Sequence, residues 1–137
     1  MISKQIHLRS LLSIILFFFM FSQLQAQDYC DSADKIKKNI DQANSENLAS
    51  YFDSTIDLRL PGIDGTFSSK QAQVIIKDFF KGNPPKSFCT KHKGNSNDGS
   101  HYVIGNYTSG EKNYRTYFLL KKRNGRYLIQ QLQFEEE

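Results

Sequence analysis

Residues 114–134 read YRTYFLLKKRNGRYLIQQLQF, two long apolar-rich runs joined by Asn124-Gly125. Asn-Gly between alternating runs predicts a two-residue type I′ hairpin, because that turn needs positive φ at both central positions. If Arg123 and Arg126 flank the turn, Leu120 lies opposite Ile129, Phe118 opposite Gln131 and Thr116 opposite Gln133. Residues opposite each other share a face. One face then carries Thr116, Phe118, Leu120, Tyr127, Ile129, Gln131 and Gln133. The other carries Tyr117, Leu119, Leu128, Leu132 and Phe134, with Arg115 and Lys121. Both faces are rich in apolar side chains, which predicts a sheet covered on both sides.

Working outward from the hairpin, residues 87–93 and 101–108 read as two further strands, separated by the polar loop Gly94-Asn95-Ser96-Asn97-Asp98-Gly99. Before them, Ala72, Ile75, Ile76, Phe79 and Phe80 follow the i, i+3, i+4, i+7, i+8 spacing of an amphipathic helix. Ser68 or Ser69 can cap it, and Gly82 with Pro84-Pro85 ends it. Ile56, Leu58 and Leu60 alternate with Asp57 and Arg59 as a strand, and Thr66-Phe67-Ser68 returns after the turn residues Pro61-Gly62 and Asp64-Gly65. Ala33, Ile36, Ile40 and Ala43 mark a first helix, and Leu48, Tyr51 and Phe52 a short second one. Helices first, then four long antiparallel strands, is an α+β order.

The amino terminus reads as a leader. Lys4, His7 and Arg9 precede an apolar run from Leu11 to Phe21, and Ala26 offers a small residue for cleavage. This is the pattern of a secretory signal peptide over residues 1–26, with a single domain over 27–137 and an exported, periplasmic or secreted, product. The run is shorter than the roughly 20 residues of a spanning helix, so no membrane anchor is expected after cleavage. Losing Lys4 and Arg9 with the leader lowers the net charge from +4 to +2. That is too little for a nucleic-acid partner, which calls for clustered basic residues. Export also permits the two cysteines, Cys30 and Cys89, to pair as a disulfide, although spacing alone leaves two free thiols equally open.

Two segments are more specific than this order of elements. GTFSSKQAQVIIKDFFKGNPPKSF and HYVIGNYTSGEKNYRTYFLLKKRNGRYLIQQLQFEEE resemble a family of small exported bacterial proteins of unknown function with a nuclear transport factor 2-like, or cystatin-like, fold. Phe67, Ser69, Ala72, Phe79, Phe80, Tyr102, Gly105, Tyr114, Arg115, Tyr117 and Ile129 carry the resemblance, which runs from Asp31 to Glu137. It implies N-terminal helices packed on a curved, mainly antiparallel sheet, with a cone-shaped pocket between them. Enzymatic members of that superfamily, the ketosteroid isomerases and polyketide cyclases, place Asp, His or Tyr in the pocket.

No catalytic motif stands out. Ser and Cys have no neighbouring His motif, and there is no Gly-rich phosphate loop. His92, His101 and Asp98 flank one loop and would need to converge to hold a metal, and Asp53 or Asp57 would need burial to act as a general base. Neither arrangement is assigned, and no cofactor or metal is expected. The expectation is a non-catalytic binding module. Thr116, Phe118, Leu120, Ile129, Gln131 and Gln133 would line an apolar pocket with a few amides for a small molecule. The alternative is an interaction protein working through its sheet, with Tyr117, Leu119, Leu128, Leu132 and Phe134 forming the face of a homodimer. A small hydrolase or isomerase using a pocket Asp or His is a further alternative.

Overall fold

The computed structural model describes residues 13–15 and 28–137. The described residues fall in two units, divided between Asp31 and Ser32. The expected signal peptide lies outside the described residues apart from 13–15, which are helical. Among the described residues no helix is long and apolar enough to cross a membrane.

Helix α1 spans 28–41. Ala33, Ile36 and Ile40 are buried as their spacing predicts, but the helix stops before Ala43, which turns into the left-handed region at φ 53°. There the Asn44 N–H reaches back to the Asn39 carbonyl, a bond that closes a helix C-terminus. Asn44 then caps α2 (Ser45–Ala49) by accepting from the Asn47 N–H at 3.0 Å. The short second helix ends earlier than expected, because Phe52 opens β1 (Phe52–Leu60) and pairs with β6 instead. After β2 (Ile63–Ser68), α3 runs Ser69–Gly82. A reciprocal capping box between Ser68 and Gln71 starts it. Strands β3 (Ser87–Asn95), β4 (His101–Ser109), β5 (Lys112–Arg123) and β6 (Arg126–Glu136) complete the chain.

The six strands form one sheet in the order β2-β1-β6-β5-β4-β3, antiparallel throughout except for the parallel β1–β6 pair. The helical layer covers one face, here called inner. Phe79 of α3 packs within 4.8 Å of Phe134, 5.4 Å of Tyr114 and 5.9 Å of Tyr107, centroid to centroid. Asn83, just past α3, ties the helix end to the sheet. Its side-chain oxygen accepts from Tyr114 Oη at 2.7 Å, and its carbonyl accepts from Tyr107 Oη. At the far side of the sheet, Asp41 of α1 accepts the backbone N–H of Phe88 at 3.0 Å.

The hairpin turn forms as read, with Asn124 at φ 49° and Gly125 at φ 78°. Arg123 pairs with Arg126 and Leu120 with Ile129. Beyond Ile129 the register slips by one, so that Leu119 lies opposite Gln131 and Phe118 opposite Leu132. One extra residue in a strand reverses the facing of everything after it. Tyr127, Ile129, Leu132 and Phe134 therefore all point inward and are buried, together with Tyr114, Thr116, Phe118 and Leu120 of β5.

Candidate functional site

The bulge redistributes the expected site residues. Thr116, Phe118, Leu120 and Ile129 have no accessible surface, which leaves no water-sized space beside them. They are core, buried on the inner face, and do not line an open pocket. Gln131 and Gln133, expected on that same wall, lie on the opposite face, because the slip at Gln130 moves them there. Leu132 and Phe134, expected on an exposed face, are fully buried for the same reason. Tyr117, Leu119 and Leu128 do lie on the outer face and are half-buried.

The outer face is where surface chemistry is available. Tyr117 and Leu119 lie opposite Ile104 and Tyr102 of β4, and Leu128 lies opposite Lys121. Tyr102, Ile104, Tyr117, Leu119 and Leu128 thus form a half-exposed apolar island on the face opposite Phe79 of α3. Tyr102 and Tyr117 stack at 6.3 Å, 21° between ring planes. Desolvation, with a smaller contribution from Tyr102, pushes the Tyr117 phenol above its ordinary value. Tyr102 lies flat across β3 because its partner there is Gly94, where a Cβ would collide with the Tyr102 ring. Neither Tyr102 nor Ile104 was read as a surface residue from the sequence. The period-two pattern of 101–109 puts them on one side, but only the register with β5 shows which side.

Beside the island the β1–β6 ladder opens. Phe52 pairs with Ile129, and pairing resumes only at Asp57 with Gln131, so four residues of β1 span one of β6. The opening is a cleft of about 470 Å³ lined by Asp53, Ser54, Thr55, Asp57, Arg123, Asn124, Leu128 and Gln130. A second of about 180 Å³ continues along β1 past Asp57 to Arg59, Asp64, Gln131 and Gln133. Asp53 is held in place by three donors. The Ser54 N–H bonds Oδ1 at 2.7 Å, Gln130 Nε2 bonds Oδ2 at 2.8 Å, and Arg123 Nε stands 3.5 Å from Oδ2. Asp57 Oδ1 accepts from Thr66 Oγ1 at 2.6 Å. Asp53 and Asp57, named as the carboxylates to watch, therefore share one cleft.

The histidines do not converge. His92 lies opposite Ile104 on the outer face, whereas His101 lies opposite Leu120 on the inner one, bonded to Asn95 at 2.6 Å. Burial lowers the pKa of His101. Asp98 turns to Ser100 instead, whose hydroxyl and backbone N–H hold its carboxyl below the usual range. Among the described residues no group of three or more metal-binding side chains forms. Cys30 and Cys89 are both free and exposed, so the permitted disulfide is not made. Cys89 lies opposite Asn106 and projects from the outer face of an edge strand, where solvent is its surroundings.

The family is settled by residues 33–135, which match the model of a domain of unknown function, DUF4783. The chain belongs to that family. Solved relatives have the same fold. A DUF4783 protein from Bacteroides uniformis superposes with a TM-score of 0.71 at 23% identity, covering 76% of this chain and 95% of that one. One from Bacteroides ovatus gives 0.70 at 25% identity, covering 75% and 93%. A protein of unknown function with a cystatin-like fold from Nostoc punctiforme gives 0.65 at 12% identity, covering 83% and 92%. The α+β reading, with helices on a mainly antiparallel nuclear transport factor 2-like sheet, holds. Among curated proteins none matches the chain.

Proposed function

We propose that this DUF4783 protein is an exported, non-catalytic interaction module whose working surface is the outer sheet face, and that a second copy of the chain docks there. The observation that carries the reading is the apolar island of Tyr102, Ile104, Tyr117, Leu119 and Leu128, left half-exposed while the inner face is filled. Contiguous apolar surface of this kind marks a contact site. Size supports a protein partner. Six strands about 4.8 Å apart, averaging about 30 Å in length, present on the order of 800 Å², which is one partner's share of a standard interface. Symmetry supports a second copy. A two-fold axis in the contact plane sets the island of each copy on that of the other, and two-fold pairs are the commonest assemblies.

Export rests on the leader-like segment of residues 1–26, and mass analysis of the mature N-terminus tests it, with Gln27 first as the expected result. Sedimentation velocity at micromolar concentration tests the pairing. A dimer is expected, reduced to monomer by Leu119→Lys with the melting temperature retained. A parent protein that sediments as a monomer overturns it.

A further inference from the structure

We propose that the groove formed where β1 parts from β6 binds a neutral, polyhydroxylated chain such as an oligosaccharide. The two clefts share Asp57, so they make one groove along β1 from Asp53 to Arg59. Measured along β6, from Leu128 to Gln133 at about 3.3 Å per residue, that is roughly 15 Å, room for two or three linked units rather than one small molecule. Both guanidinium groups in it are already paired, Arg123 with Asp53 at 3.5 Å and Arg59 with Asp64 at 3.1 Å. An anionic ligand would have to break those pairs, and the Asp57 carboxylate is already engaged by Thr66 Oγ1 at 2.6 Å. With Asp57 added, carboxylates outnumber guanidinium groups, which disfavours an anion in particular.

What the groove offers beyond these pairs is amide and hydroxyl: Asn124, Gln131, Gln133, Ser54 and Thr55. Amides present donors and acceptors side by side, and hydroxyls do both at one atom. Sugar hydroxyls have the same double character. Leu128 adds an apolar spot for C–H surface in the larger cleft. A peptide is the competing chain-like occupant, but strand addition needs a free sheet edge. Both walls are interior strands, β1 between β2 and β6, and β6 between β1 and β5.

The groove shares Leu128 with the outer island, so it is tested on both the parent chain and Leu119→Lys, and an occluded dimer face and an absent site are told apart. Backbone amide shifts are followed by NMR while maltotetraose, cellotetraose, xylotetraose and, as controls, tetra-alanine and tetra-lysine are added. At least one neutral tetrasaccharide is expected to move the amides of 53–59 and 130–133 saturably, with a Kd of about 1 mM, typical of an open groove. Gln131→Ala with Gln133→Ala should weaken that binding at least about fivefold, in a protein whose other amide positions are unchanged. No saturable shift in either chain with any of the three sugars up to about 20 mM overturns the proposal, as do shifts there from a peptide alone.

Discussion

The inner and outer faces of the β5–β6 hairpin are built from similar side chains and end in different states. Inward, Tyr114, Phe118, Leu120, Ile129, Leu132 and Phe134 are buried, with Phe79 and Phe80 of α3 laid over the Phe134 end. Outward, Tyr117, Leu119 and Leu128 are only half-buried, with the Tyr102 ring stacked on Tyr117. Hydrophobicity did not assign these roles. A single extra residue near Gln130 did, by turning Leu132 and Phe134 to the side where α3 waits. Were Gln130 paired in regular alternation instead of bulged out, the inner face of β6 would end in Gln131 and Gln133, and the aromatic cluster around Phe79 would lose the ring of Phe134. The contrast teaches that a sheet face becomes core when a second layer can reach it, and that a bulge can decide which residues the layer meets.

The harshest way to break the comparison is to insert one alanine between Gln131 and Leu132. Continued pairing then turns Leu132 and Phe134 outward and Gln133 into the core. We expect no cooperative unfolding transition in the insertion variant, while deletion of Gln130, which closes the bulge and leaves Leu132 opposite Phe118 and Phe134 opposite Thr116, folds. An insertion variant that melts like the parent would show that the residue count along β6 does not set the facing.

Next in size is truncation on each face. Phe79→Ala and Phe134→Ala should each cost about 3–5 kcal/mol in urea unfolding, the range for large aromatics in a core. Leu119→Lys on the outer face should stay within about 0.5 kcal/mol for the monomer, as surface changes do. Equal losses on both faces would erase the distinction and show that the outer island is also structural core.

How much of this was readable in advance follows from the same residues. The Asn124-Gly125 turn, the pairing of Leu120 with Ile129 and the buried stripe of α3 are local, set by turn geometry and by one helix's own periodicity. The bulge was readable in part. Tyr127 and Ile129 occupy odd positions, Leu132 and Phe134 even ones, and the parity changes across Gln130-Gln131. Continued strict alternation passes over that change, and so two site assignments came out reversed. The groove had no such signal. It exists because two strands distant in sequence part company between Phe52 and Asp57, a tertiary event that no pattern within β1 records. Asp53 and Asp57 were singled out by residue type, whereas Arg123, Asn124 and Gln130 joined them only through the fold.

A pH series sharpens the account of the inner face. Burial, with Tyr114 beside it, pushes the Tyr107 phenol well above its ordinary value of about 10. The folded state therefore keeps that proton when the unfolded chain has lost it. Stability from this group is complete below pH about 10 and falls as pH rises beyond it. Tyr107→Phe should be less stable at pH 7, having lost the bond to the Asn83 carbonyl, yet decline less steeply above pH 10. Parallel declines would place the alkaline sensitivity elsewhere.

The last expected effect is a gain. Thr116 is fully buried in the middle of the inner face, opposite Gly105 and Phe134, and its hydroxyl has no hydrogen-bond partner among the described residues. A buried hydroxyl without a partner forfeits the hydrogen bonds that water gives it in the unfolded chain. Valine has nearly the same shape with a methyl in place of that hydroxyl, and its β-branch suits a strand equally well. Thr116→Val should therefore raise stability by about 1 kcal/mol. If the hydroxyl instead has work to do on the inner face, such as meeting a small polar molecule that enters between α3 and the sheet, the substitution loses stability or abolishes a ligand-induced rise in melting temperature. A stabilised Thr116→Val that still pairs through its outer face would mark the inner face as packing alone.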